Sequence, residues 1–195
     1  NEVKDNVILS LFDYSGTWSK PYEDAGYDVI RIDIKHGIDI FDYDFDALGH
    51  VHGILAAPPC TDFAVSGARW FKEKDADGRT AKSVALIHKT LSIIQKLTPA
   101  WWALENPVGR LPRLVPELGK PRMYFNPCDY GDPYTKKTGL WGDFNTNLPK
   151  NPVEPERVCK QGSWVQKLGG KSERTKELRS MTPPGFAQAF FEANK

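Results

Sequence analysis

The chain has 195 residues, 40% of them hydrophobic, which is enough for one globular domain with a sizeable core. No apolar run approaches membrane-spanning length and no secretory leader is expected, which points to a cytoplasmic protein. Three cysteines, none in a C-x-x-C pair, exclude a disulfide framework or a zinc site, and the net charge of +1 hides a split between the two ends.

Residues 7–12 read as a first strand and 19–25 as a short helix, with a small-residue turn between them. Residues 29–33 form a second strand. A third apolar run at 53–57 leads into Pro58-Pro59-Cys60. Its shortness and its Pro and Gly boundaries mark a buried parallel strand, and the two prolines suit a rigid exit loop because they withhold backbone donors. Residues 61–67 have the composition of a mobile loop. Residues 81–97 place Val84, Ile87, Leu91 and Ile94 at spacings of three and four, the signature of an amphipathic helix. Pro99 ends it. A fourth run, 101–104, leads into Glu105-Asn106-Pro107. Residues 142–185 read as irregular and basic, and 186–194 as a closing helix. Strands alternating with helices predict a single α/β domain over 1–195 with a mainly parallel sheet.

Parallel sheets bind ligands beyond the carboxyl ends of their strands, so Cys60 and Glu105 are expected to face one crevice. A thiolate and a carboxyl there can act together on a flat heterocycle. Asp33, at the end of the second strand, can take the two hydroxyls of a ribose, and Asp39 can reach an adenine amino group. The four histidines, His36, His50, His52 and His88, lack ligand spacing, and no metal is expected. Residues 1–60 carry four Lys/Arg against eleven Asp/Glu, whereas residues 136–179 carry ten against five. An anionic partner would therefore lie against the C-terminal part.

These motifs, in this order, resemble those of the S-adenosylmethionine-dependent DNA cytosine-5 methyltransferases. Leu11-Phe12-Asp13-Tyr14-Ser15-Gly16-Thr17 looks like the family's cofactor loop, Ile32-Asp33 its ribose acid, and Gly37-Ile38-Asp39-Ile40 its adenine-side motif. Pro58-Pro59-Cys60 through Gly67 resembles the nucleophile motif and its closing loop, and Glu105-Asn106-Pro107 the motif that grips the base. Asp129 to Pro133 resembles the run into a further motif, and Thr182 to Ala187 the last one. The resemblance covers most of the chain and implies a doubly wound, Rossmann-like sheet. It implies a cofactor site of Phe12, Asp13, Ser15, Gly16, Thr17, Asp33, Ile34, Asp39, Ile40 and Pro58 for S-adenosylmethionine and its product S-adenosylhomocysteine. The substrate side would comprise Pro59, Ser66, Asn106, Pro107, Lys136 and Lys137, with Cys60 and Glu105 catalytic.

The chain departs from the family in three places. Tyr134-Thr135-Lys136-Lys137-Thr138 stands where the family has Gln-x-Arg-x-Arg, so a base-holding arginine is replaced by Thr138. Thr17 stands for a second glycine. Only about forty residues separate that run from the last motif, too few for a sequence-reading domain, as in the short, phage-type members. DNA is the expected substrate; single-stranded nucleic acid, RNA or a pyrimidine nucleotide is the alternative within enzymes, and a decoy or regulatory binding protein the alternative outside them. A separate sequence-reading partner would supply specificity. The sequence leaves the oligomeric state open.

Overall fold

Aliphatic runs too short for helices build the centre of the molecule. The computed structural model describes residues 6–60, 62–159, 162–163 and 181–195. Six strands form its main sheet: β1 (Val7–Leu11), β2 (Asp28–Ile32), β3 (Gly53–Ala56), β4 (Trp101–Pro107), β5 (Met123–Phe125) and β6 (Thr138–Asp143), in the order β2-β1-β3-β4-β6-β5. β2, β1, β3 and β4 pair in parallel, with Leu9 opposite Ile30 and Ile54, and Ile54 opposite Trp102. Only β6 runs against them, paired antiparallel with β4 and β5. The sheet is thus mainly parallel.

Alternation along each strand loads both faces, as a buried parallel sheet requires. Leu9, Leu11, Ile54 and Leu104 join one core with Ile87 and Ile94 of α3 (Arg79–Leu97). Ile8, Leu55, Ala103 and Leu140 join the other with Tyr22 of α1 (Lys20–Asp24) and with Phe186 and Phe190 of the closing helix, α5 (Pro184–Ala193), the next helix after the single turn α4 (Leu111–Leu114). Helices therefore cover both faces, the doubly wound arrangement. Trp18, Trp101 and Phe144 surround Phe190, while Phe186 stacks on Phe125 at 3.9 Å between centroids. Tyr22 Oη donates to the Asn194 carbonyl at 2.6 Å, tying α5 to α1, and burial pushes this phenol far above its ordinary pKa. Each such fully buried large side chain contributes about 1.5–3 kcal/mol.

The expected strands and long helix are present, with shifted ends. β1 stops at Leu11 because Phe12 turns to φ 62°. α3 begins at Arg79, after left-handed Gly78, with the Asp77 carboxylate accepting from Arg79 N. β4 runs three residues past Leu104, which lies opposite Ala56 at the end of β3, and pairs there with β6 alone. Two expectations are corrected. The stretch after Cys60, read as a mobile loop over 61–67, winds into a 3-10 turn, Val65–Trp70, and then α2 (Phe71–Ala76). The stretch 142–185, read as irregular, holds the end of β6, the antiparallel pair β7 (Arg157–Cys159) and β8 (Gly162–Ser163), and the start of α5. Residues 164–180, with most of the basic charge expected there, lie outside the described residues, as does Thr61. No helix among the described residues is long and apolar enough to cross a membrane.

Candidate active site

The carboxyl ends of β1 to β4 share one edge of the sheet, and each exit carries expected site residues. At the end of β1, Phe12 adopts a left-handed backbone rare for a bulky side chain, fixed by its N–H donating to the Ile32 carbonyl at 2.8 Å. The next residue, Asp13, is buried, and its Oδ2 accepts from Ser10 Oγ at 2.8 Å, Ser19 Oγ at 2.6 Å and Ser19 N at 3.2 Å. Its carboxylate shapes the loop. Gly16, at φ +75°, lies where a Cβ would meet the Arg31 guanidinium at 3.1 Å, and the Ser15 and Thr17 hydroxyls are 3.0 Å apart. Beside this turn opens a cavity of about 480 Å³, with Tyr14, Ser15, Gly16, Arg31, His36 and Ile38 in its wall.

At the end of β2, Asp33 caps a 3-10 turn, Ile34–His36, by accepting from Lys35 N at 2.8 Å. Asp39 likewise accepts from the backbone N–H two residues after it, that of Phe41, at 2.9 Å. Both carboxylates are half-buried. Ile34 is 68% and Phe41 50% exposed beside them, whereas Ile40 turns into the core.

The exits of β3 and β4 are joined. Pro58 is buried, Pro59 exposed and Cys60 half-buried, and the Cys60 carbonyl accepts from the N–H groups of Phe63 and Ala64 at 3.0 and 2.8 Å in a tight turn. Asn106 is fully buried, and its Nδ2 donates to the Pro58 carbonyl at 3.1 Å. Its Oδ1 has no hydrogen-bond partner. Gly109 bridges to Ala64, so close that a Cβ would stand 1.8 Å from the Phe63 carbonyl oxygen; only glycine fits. The side chain of Ser66 is not among those described.

Glu105 sits on β4 opposite Leu140, 9% exposed. Burial pushes its carboxyl above the ordinary range, Lys136 opposes this and the negative Asp13 adds to it. Burial also raises the Tyr134 phenol, with the charges of Asp132 and Glu105 reinforcing it. Glu105, Tyr134 and Lys136 thus share one electrostatic neighbourhood. Thr138, the departure from the arginine, is buried opposite Pro107 and donates to the Lys136 carbonyl at 2.7 Å, so it shapes the chain leading from Lys136 into β6. Lys137 turns to the ring of Tyr124, 4.9 Å away. Two residues with polar roles here were absent from the expected set: Tyr134, whose burial no local pattern marks, and Arg110, whose partners lie far off in sequence.

No family model and no curated protein matches the chain. Among solved structures, the chain is similar to a prophage-encoded protein of E. coli assigned as a DNA modification methyltransferase, with TM-score 0.41 and 18% identity over 86% of this chain and 55% of that one. It is also similar to the methyltransferase EhMeth of Entamoeba histolytica, with TM-score 0.49 and 15% identity over 85% of this chain and 60% of that one. The chain spans about three-fifths or less of the length of either.

Proposed function

We propose that the protein transfers a methyl group from S-adenosylmethionine to C5 of cytosine in DNA. The observation that carries the reading is the Asn106 to Pro58 hydrogen bond, which joins the loop bearing Cys60 to the strand bearing Glu105, whose carboxyl burial pushes above its ordinary range. A nucleophile and an acid are thereby held at one edge of one sheet.

The residues at the ends of β1 and β2 suit the cofactor. Asp33 and Asp39 offer half-buried carboxylates to hydroxyl and amine donors, and exposed Ile34 and Phe41 offer apolar surface to a flat ring. When bound, S-adenosylmethionine supplies an electrophilic methyl group. Cytosine C5 is a poor nucleophile until something adds at C6. Cys60, as thiolate, forms an Sγ–C6 bond while Glu105 gives its proton to N3, so the charge that would build on the ring is neutralised. C5 thereby becomes nucleophilic. In the return step the C5 proton passes to solvent water, the C5–H electron pair forms the C5=C6 bond, Sγ leaves C6 as thiolate and N3 gives its proton back to Glu105. Lys136, within electrostatic reach of Glu105, provides a point charge for the base carbonyl or a phosphate. A paired base must first leave the stack, at a cost of a few kcal/mol.

Incubation with radiolabelled methyl donor and a panel of duplex DNA, single-stranded DNA, RNA and cytidine nucleotides tests this. Label is expected on C5 of cytosine in DNA, and none with Cys60→Ala. Label on adenine, or cytosine methylation by Cys60→Ala, would overturn the proposal.

A further inference from the structure

We infer that Arg110 is a positioning residue that clamps the segment after Cys60 onto the exit of β4, so that Cys60 is set against Glu105 before any substrate arrives; the inference rests on the function proposed above. The Arg110 side chain is 7% exposed and spends its donors on three separate parts of the chain. Nε donates to the Asp62 carbonyl at 2.9 Å, Nη1 and Nη2 fork onto the Asp75 carboxylate at 3.0 and 2.8 Å, and Nη2 also reaches Thr80 Oγ1 at 3.0 Å. The guanidinium lies 3.6 Å from the ring centroid of Phe71. Its backbone N–H donates to the Phe63 carbonyl at 2.9 Å.

The far side of the segment is pinned as well. The Asp62 carboxylate accepts from Ser83 Oγ on α3 and pairs with Lys74 Nζ at 3.6 Å. Hydrogen bonds from Arg110 and Thr80 hold the Asp75 carboxyl down at about 2, so the fork stays charge-assisted at neutral pH. Arg110 stands five positions after Glu105, and Asp62 two after Cys60. One rigid planar group therefore links the two catalytic exits, beside the Asn106 bond. A lysine cannot replace it: an ammonium has neither the fork nor the stacking face.

Arg110→Lys and Asp75→Asn break the fork while keeping size. Hydrogen exchange at the amides of Phe63 and Ala64 should rise on the order of tenfold in either variant, with the amides of Ile87 to Ile94 in α3 unchanged. kcat for methyl transfer should fall by a similar factor while the dissociation constant of the cofactor holds. A uniform rise of exchange across the chain would make Arg110 a general support and overturn the inference. So would unchanged exchange at Phe63 and Ala64, or raised exchange there with unchanged kcat. A wild-type protein that methylates nothing would strike the proposed function, and the exchange measurement would still decide the clamp.

Discussion

Asp33 and Asp39 accept from N–H groups two residues along the chain, whereas Asn106 and Arg110 donate to carbonyls 48 residues away. The rim at β2 is built from local turns, and the rim at β3 and β4 from long-range bonds. Local bonds fix the shape of each turn but not its distance from its neighbours. Long-range bonds fix distance. That suits the chemistry: a bound cofactor can order a local loop as it docks, while a nucleophile and an acid must stand within a fraction of an ångström of the productive arrangement beforehand.

The comparison can be broken most severely at Cys60, the proposed nucleophile. Cys60→Ala should lower methyl transfer about a thousandfold or more, read by label incorporation, with cofactor affinity intact. Next comes Glu105→Gln, whose amide still hydrogen-bonds but cannot give up a proton, and a loss of roughly 10²–10⁴ in rate is expected. The wild-type rate should also fall as pH rises through the elevated pKa of Glu105, since the donor is then ionised. Stability has the same sign. A carboxyl whose folded pKa is raised contributes fully below its unfolded value, about 4.3, and loses that contribution as pH rises through the folded one. Thermal melts should therefore show Glu105→Gln gaining on the wild type as pH rises above that point.

Asp33→Ala should weaken the cofactor by up to about 3 kcal/mol in calorimetric titration, because charge-assisted bonds to hydroxyls are lost. Its effect on folding should be small, since the turn it caps is local. Asn106→Ala should do the reverse: urea unfolding should show about 1–2 kcal/mol lost, because the buried Pro58 carbonyl is left without its donor, and cofactor affinity should hold. If both variants behaved alike, the division of the two rims would fail.

Strands β1 to β4 and α3 were legible in the sequence because each is a run or stripe of apolar residues bounded by Gly, Pro or polar turns. β6 was not, since Thr138-Gly139-Leu140-Trp141-Gly142-Asp143 carries two glycines and draws its order from pairing with β4 on one side and β5 on the other. Nor was α2, whose sequence Phe-Lys-Glu-Lys-Asp-Ala has little apolar content and is held by Arg110 through Phe71 and Asp75. In the site, Cys60, Glu105 and Asp33 could be placed because each ends an apolar run. The loop-shaping role of Asp13 and the bond from Asn106 to Pro58 could not, because both depend on how loops pack once the sheet has formed.

The central claim is that Cys60 adds to cytosine C6 beside Glu105. The most direct test is DNA containing 5-fluorocytosine, from which fluorine cannot leave as the C5 proton does, so the addition product should persist. Peptide mapping by mass spectrometry should find a covalent adduct on Cys60 that depends on the methyl donor and vanishes in Cys60→Ala. Sustained C5 methylation of ordinary cytosine with no adduct, or with the adduct on Cys128, would contradict the account.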